Sequence, residues 1–219
     1  MKVRHVVVAL LSGALLFPVT ASATAADRLP ARRVDTTCSA SSFHDDARLG
    51  PASLPDAGAV GRQLIGYRRT GRLGTKAFLA RYYDPTANSG QGGWIYPPDN
   101  GYVTLPDGSP IEWRQTLAPG EDIDRYGSEY GSFLAPEGLP YAARAIPPAS
   151  LDGTPAAACN YHDYRVVKPF TVDAGPIAPW FGQPGHGLQF QLAAGLVPGA
   201  PATVNVGWLV ANGYLERLV

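Results

Sequence analysis

Four short segments concentrate the residue types that could do chemistry. Residues 124–133, DRYGSEYGSF, set Arg125, Ser128, Glu129, Tyr130 and Phe133 around two glycines, which admit backbone conformations that other residues avoid. Residues 141–148, YAARAIPP, place Arg144 just ahead of a rigid Pro-Pro. Residues 160–169, NYHDYRVVKP, alternate so that Tyr161, Asp163 and Arg165 share one strand face and His162, Tyr164 and Val166 the other. Residues 175–190, GPIAPWFGQPGHGLQF, form a loop stiffened by Pro176, Pro179 and Pro184 that carries Trp180, Phe181, Gln183 and Gln189. A rigid loop rich in aromatics suits ligand capture. Each cluster also has an ordinary reading: a twisted strand and turn with a surface ion pair for the first, and a half-buried strand histidine for His162.

Other chemistries fail on spacing. His5, His44, His162 and His186 have neither helical nor zinc-type separations, so no metal site is expected. No Gly-x-Ser-x-Gly turn exposes a nucleophile. Residues 182–187, GQPGHG, lack the strand-then-helix context and the closing Lys-Ser/Thr of a phosphate-cradling loop. With 18 basic and 18 acidic residues there is no basic stripe for nucleic acid.

The elements that must position these clusters are short. The chain holds 25 glycines and 21 prolines, which favours turns over long helices. Residues 61–83 place Leu64, Ile65 and Tyr67, then Phe78, Leu79 and Tyr82, at the spacing of two short helices. Gly71 and Gly74 should break them, and Thr75 should cap the second. Arg62, Arg68, Arg69 and Arg72 read as a solvated face. Beyond Trp94, the runs WIYPPDNGYV, IEWRQTL, YHDYRVVKPFTV and LQFQLA are aromatic and β-branched stretches between Pro and Gly turns, the pattern of strands. Residues 202–215 read as a short helix, preceded by a strand and ended by Gly213. The expected class is α+β: a small N-terminal helical thumb packed on a twisted, mainly antiparallel sheet.

The start of the chain reads as a secretory signal: Lys2 and Arg4, an apolar run over residues 6–16, then small residues that allow cleavage after Ala23 or Ala25. The apolar run is well short of the ~20 residues that span a bilayer, so no membrane attachment is expected after cleavage. The exported chain carries 16 basic and 18 acidic residues, a net charge of −2. Cys38 and Cys159 are the only cysteines; in an oxidising compartment they should form one disulfide, and a catalytic thiol is the weaker reading. The expected division is 1–25 signal, 26–90 leader and helical thumb, and 91–219 functional core.

The runs DRYGSEYGSF, RAIPP, YHDYRVVKPF, GPIAPWFGQPGHGLQF and LVANGYLERL occur in an order that closely resembles the tuberculosis necrotizing toxin family of NAD glycohydrolases. WIYPPDNGYV resembles that family's entry motif, and Cys38 with ARLGPASLP (residues 47–55) resembles its secreted fungal surface members. The resemblance implies hydrolysis of NAD, and of NADP, to nicotinamide and ADP-ribose by an extracellular or cell-surface enzyme. NAD is then substrate and no cofactor is required. By the same resemblance the essential arginine falls on Arg125, the aromatic on Phe133, the second phosphate-side arginine on Arg144, the catalytic glutamine on Gln189 and the family histidine on His162. The family's toxin members carry a tyrosine where this chain has Phe133. Tyr130 and Trp180 are further aromatic candidates for the nicotinamide, and Gln183 is a second glutamine whose flanking prolines suggest loop shaping. His186 receives no role. A homodimer and an inhibitor protein stand open as partners. Two other readings remain: transfer of ADP-ribose to a protein, disfavoured because Glu129 has no second acid in a Glu-x-Glu, and a non-catalytic secreted binding module.

Overall fold

The computed structural model describes residues 35–218; the expected signal and most of the expected leader lie outside the described residues. The first helices are α1 (Gly58–Gln63) and α2 (Thr75–Tyr82). In α2 the i, i+4 pair Phe78 and Tyr82 faces inward, where the two rings meet Phe181, Trp94 and Leu49 in one apolar cluster. The cap of α2 differs from expectation. Gly74 is the N-cap and Thr75 is already helical, with no side-chain capping bond. Gly71 has φ +63°, and a Cβ there would run into the backbone of Gly182, so this turn meets the proline-rich loop at a distance only glycine allows. Of the four arginines expected on a solvated face, Arg62, Arg68 and Arg72 are exposed but Arg69 is not. Its guanidinium lies over the Phe43 ring and donates to the carbonyls of Leu49 and Pro51, tying the chain before α1 to the turn after it.

Strands β1 (Tyr83–Asp84) and β2 (Gly93–Trp94) form a two-stranded ribbon around the short turn α3 (Ala87–Gly90). The main sheet contains β3 (Trp113–Leu117), β4 (Asp122–Tyr126), β5 (Phe133–Pro136), β6 (Tyr161–Val166), β7 (Phe170–Pro176), β8 (Leu188–Gln191) and β9 (Leu215–Arg217). Their order is β3-β7-β8-β5-β4-β6-β9, and every pairing is antiparallel. The architecture is α+β, with helices first and an antiparallel sheet after, as the sequence pattern implies.

Alternation divides the sheet. Ile123, Leu134, Tyr164, Val166, Val172 and Phe190 enter one core with α5 (Val206–Ala211), while Tyr126 and Tyr161 enter another with Val60 of α1 and the Cys38–Cys159 disulfide. Asn205 caps α5 by accepting from Trp208 N at 2.8 Å. The strand expected ahead of this helix is instead β9, which follows it. Among the described residues no helix is long and apolar enough to cross a membrane.

One departure from regular pairing matters for function. Strands β4 and β5 share only the pairs Ile123↔Pro136 and Asp124↔Ala135. Past Asp124 the strands part, and residues 127–132 loop between them. A cleft opens there.

Candidate active site

The cleft encloses about 530 Å³ and is lined by Tyr96, Asn100, Arg125, Phe133, Arg144 and Gln189 together with smaller wall residues. Its floor is the sheet face that carries Asp124, Ala135 and Gln189. One wall is the helix α4 (Tyr141–Arg144) with the Ile146-Pro147 turn, and the other is the loop around Asn100.

Arg125 leaves β4 at the point of divergence and curls into the gap. Its Nε donates to Ser128 O at 2.7 Å and to Gly127 O at 3.2 Å, and Nη1 donates to Phe133 O at 2.6 Å. Backbone carbonyls orient a cation without cancelling its charge. Among the described residues no carboxylate stands within ion-pair distance of it. Burial pulls its pKa down, opposed by Tyr164, Tyr96 and Glu129, but a guanidinium stays protonated throughout the physiological range. An unneutralised cation lining a cleft has the charge and donors to receive an anion.

Gln189 enters from β8, where its backbone pairs with Gly175 of β7. The side chain is buried, and Nε2 donates to Asn100 O at 3.0 Å. That bond settles which end of the amide is donor and which acceptor. Phe133 begins β5 and is half-buried beside Arg125, its carbonyl holding the guanidinium and its ring lining the cleft. Tyr130 sits at the rim, 90% exposed.

Arg144 has a different setting from the one expected of a freely available anion ligand. It is buried, its Nη2 lies 2.6 Å from Asp124 Oδ1, and its Nε and Nη2 also donate to Leu139 O. Most of its donors are committed inside the protein. His162 pairs with Arg125 across β4 and β6, which puts both side chains on the same sheet face. It stacks beside Tyr164 and meets Asn160 Oδ1 at 3.4 Å, on the side away from the cleft floor, and it does not line the cleft. Burial lowers its pKa against the pull of Glu129, so the neutral ring is favoured. Trp180 packs edge-on to Tyr82 of α2, and its Nε1 donates to Ile95 O at 2.7 Å. It joins the loop to α2 instead of walling the cleft. Gln183 is buried and donates to Arg68 O at 2.6 Å, which also holds the loop against the turn between α1 and α2. His186 is exposed and takes a left-handed φ of 64°.

Glu129 faces away from the cleft, bound by Arg217 at 2.5 Å and by the Tyr164 hydroxyl at 2.9 Å. Among the described residues the one carboxylate that lines the cleft is Asp124, already engaged by Arg144.

The family model described as tuberculosis necrotizing toxin matches residues 116–218. The conidial surface nicotinamide adenine dinucleotide glycohydrolase nadA of Aspergillus fumigatus is 40% identical over 196 residues, covering 86% of this chain and 79% of that protein. The chain belongs to the tuberculosis necrotizing toxin family. Among solved structures, tuberculosis necrotizing toxin complexed with its immunity factor IFT is similar at 22% identity, covering 67% of this chain and 75% of that one with a TM-score of 0.49.

In this member of the toxin family, three cleft residues escaped the sequence reading. Tyr96 and Asn100 sit in the WIYPPDNG run, where the turn Asp99–Gly101 carries left-handed backbone at Asp99 and Asn100. Asp124 lies one residue before Arg125, and nothing in its local sequence marks it as a cleft residue. The signal available for Tyr96 and Asn100 was the motif itself, read as an entry pattern without assigning its side chains a place.

Proposed function

We infer that this chain hydrolyses the bond between nicotinamide and ribose in NAD, and in NADP, releasing nicotinamide and ADP-ribose outside the cell or at its surface. The observation that carries the reading is the meeting, in one cleft, of an unneutralised guanidinium, an aromatic ring and an oriented buried amide, contributed by Arg125, Phe133 and Gln189. Membership of the family and the surface NAD glycohydrolase at 40% identity support the same substrate and location.

The chemistry asks little of the protein beyond placement. When the carbon–nitrogen bond breaks, its electron pair stays on the pyridinium nitrogen, which departs as neutral nicotinamide and needs no acid. The ribose left behind resembles an oxocarbenium ion, as in glycoside hydrolysis. Water adds at the ribose carbon and loses its proton to solvent. Arg125 clamps the diphosphate, Phe133 offers its face to the nicotinamide, and Gln189 accepts from a ribose hydroxyl or from the attacking water. Arg144 is a secondary anion contact with its orientation set by Asp124. The described residues that do this belong to the expected 91–219 core, and the expected 26–90 region supplies the thumb against which Trp180 and Gln183 anchor the loop.

Transfer to a protein acceptor is the poorer reading for this cleft, since Glu129 is turned away and Asp124 is engaged. The experiment is release of fluorescence from etheno-NAD by the purified exported chain beside Arg125→Ala and Gln189→Ala. Rapid release by wild type and its loss in both folded variants is expected. No release by wild type, or equal release by both variants, would falsify the assignment.

A further inference from the structure

The buried pair Asp124–Arg144 under the cleft is bridged by a residue from outside the sheet. Gln63, at the end of α1 and 3% exposed, accepts from Arg144 Nη2 through Oε1 at 3.1 Å and donates from Nε2 to Asp124 Oδ2 at 3.3 Å. Asp124 Oδ2 also accepts from Gly138 N at 3.0 Å and from the Tyr161 hydroxyl at 3.2 Å. Arg144 is thus fixed through Nε and Nη2 by Leu139, Asp124 and Gln63, while Nη1 makes no hydrogen bond to the described residues. The residue lines the cleft.

We propose that Gln63 is a positioning residue for the cleft: by bridging Asp124 and Arg144 it holds the guanidinium so that Nη1 is the donor left for the substrate's diphosphate. This rests on the NAD reading above. The amide suits the place for a physical reason. It donates to the carboxylate and accepts from the guanidinium with one fixed polarity, and it adds no charge. A second carboxylate there would face Asp124 and draw further on the Arg144 cation. An apolar side chain would leave two buried polar groups short of a partner. Gln63 also links the thumb to catalysis, since α1 is held by Val60 in the cluster around the Cys38–Cys159 bridge. Among the described residues of the 91–219 core none makes this bridge.

The test uses steady-state kinetics on NAD with two variants. Gln63→Leu keeps the volume and removes both hydrogen bonds; KM should rise about tenfold while kcat changes less than about twofold, the pattern of lost uniform binding. In Gln63→Glu the introduced carboxyl mimics the amide only when protonated, and it faces Asp124, Arg144 and the Tyr161 phenol. Its KM should approach the wild-type value near about pH 5 and rise away from wild type measured at the same pH towards about pH 8, a divergence that a packing defect would not create. An unchanged KM in folded Gln63→Leu, with a Gln63→Glu profile that tracks wild type, overturns the inference. If Gln63→Leu does not fold, the Gln63→Glu profile decides alone: a KM that rises with pH relative to wild type sustains the proposal and one that tracks wild type overturns it. Wild type that releases no nicotinamide overturns the NAD reading instead. Positioning is then judged by calorimetric affinity for ADP-ribose, where a loss in Gln63→Leu sustains it, and equal affinity, or no binding by wild type, overturns it.

Discussion

Gly131 stands where any side chain would collide with Arg125: a Cβ built on Gly131 falls inside contact distance of Nη2, Cζ and Nη1 of the guanidinium. Gly131 has no unusual φ, so its requirement is space and not backbone conformation. The glycine is part of the arginine's binding pocket. What must move in Gly131→Ala is the end of a flexible side chain, so the fold should survive. The guanidinium would leave its acceptors at Gly127, Ser128 and Phe133. A displacement of about 1 Å at a substrate clamp can cost about 10²-fold. Gly131→Ala should therefore lose about 10²-fold in kcat/KM with a melting temperature near wild type; retention of activity would show that Arg125 does not act from its observed position.

Gln189 makes a second prediction of a different kind. If it steadies the ribose as charge develops, its loss should fall on kcat. Gln189→Ala should lower kcat by about 10²-fold or more with a smaller change in KM. A change confined to KM would move Gln189 from the transition state to ground-state binding. Asn100 contributes only its carbonyl to this geometry, so Asn100→Ala should retain the Gln189 orientation unless the left-handed turn there rearranges.

How much of this was legible in the sequence depends on what each residue's neighbours were. Strands were readable from local alternation, and so was the division of β6, where Tyr161 and His162 go to opposite faces. Arg125 and Phe133 were readable because the glycines between them are local and close the loop that joins them. Arg144 was readable as a polar group beside a rigid turn, but its partners are Asp124 and Gln63, 20 and 81 residues away, and no local pattern announces them. Trp180 reads as a ligand group because a rigid aromatic loop is what a binding wall looks like, while the prolines beside Gln183 point to the loop-shaping contact it makes. Their actual contacts, Ile95 O just after β2 and Arg68 O between α1 and α2, are backbone carbonyls far away in sequence, set by tertiary packing. The cleft itself depends on β4 and β5 ceasing to pair after Asp124, a property of two strands and a loop that only the fold expresses.

Asp163 yields a stability prediction. Its Oδ1 is buried without a hydrogen bond to the described residues, and burial, with Glu137, Asp124 and Asp122 nearby, raises its pKa to about 6 from an unfolded value of 3.8. The folded state therefore holds this proton more tightly than the unfolded one. Its contribution is fully present below about pH 4, is lost as pH rises through about 6, and stays lost above. Asp163→Asn removes the ionisation, so the variant should melt higher than wild type at pH 7 to 8, with the gap closing near pH 4. Melting curves across that range check it, and a gap that widens on acidification would reverse the sign.

The disulfide gives the last prediction. Cys38 and Cys159 are joined across 121 residues, and the bridge sits in the cluster of Val60, Tyr126, Tyr141, Leu151 and Tyr161. Closing a loop that long restricts the unfolded chain by about 4 to 5 kcal/mol in the chain-entropy model. Replacing both cysteines with serine removes that restriction and puts hydroxyls among aromatic rings. Stability to denaturant should fall by several kcal/mol, and the slope of the unfolding free energy with denaturant should increase because the unfolded chain expands. Neither cysteine lines the cleft, so the folded fraction should keep its activity well below the melting transition. The chain before α1 would then keep Arg69, the burial of Leu49 against Phe78 and Phe181, and Arg48 over the Tyr83 ring, but lose its covalent tie to the cluster that seats α1, and Gln63 rides on α1. A fall in activity that precedes global unfolding on heating would show that the bridge keeps α1, and with it Gln63, seated on Arg144.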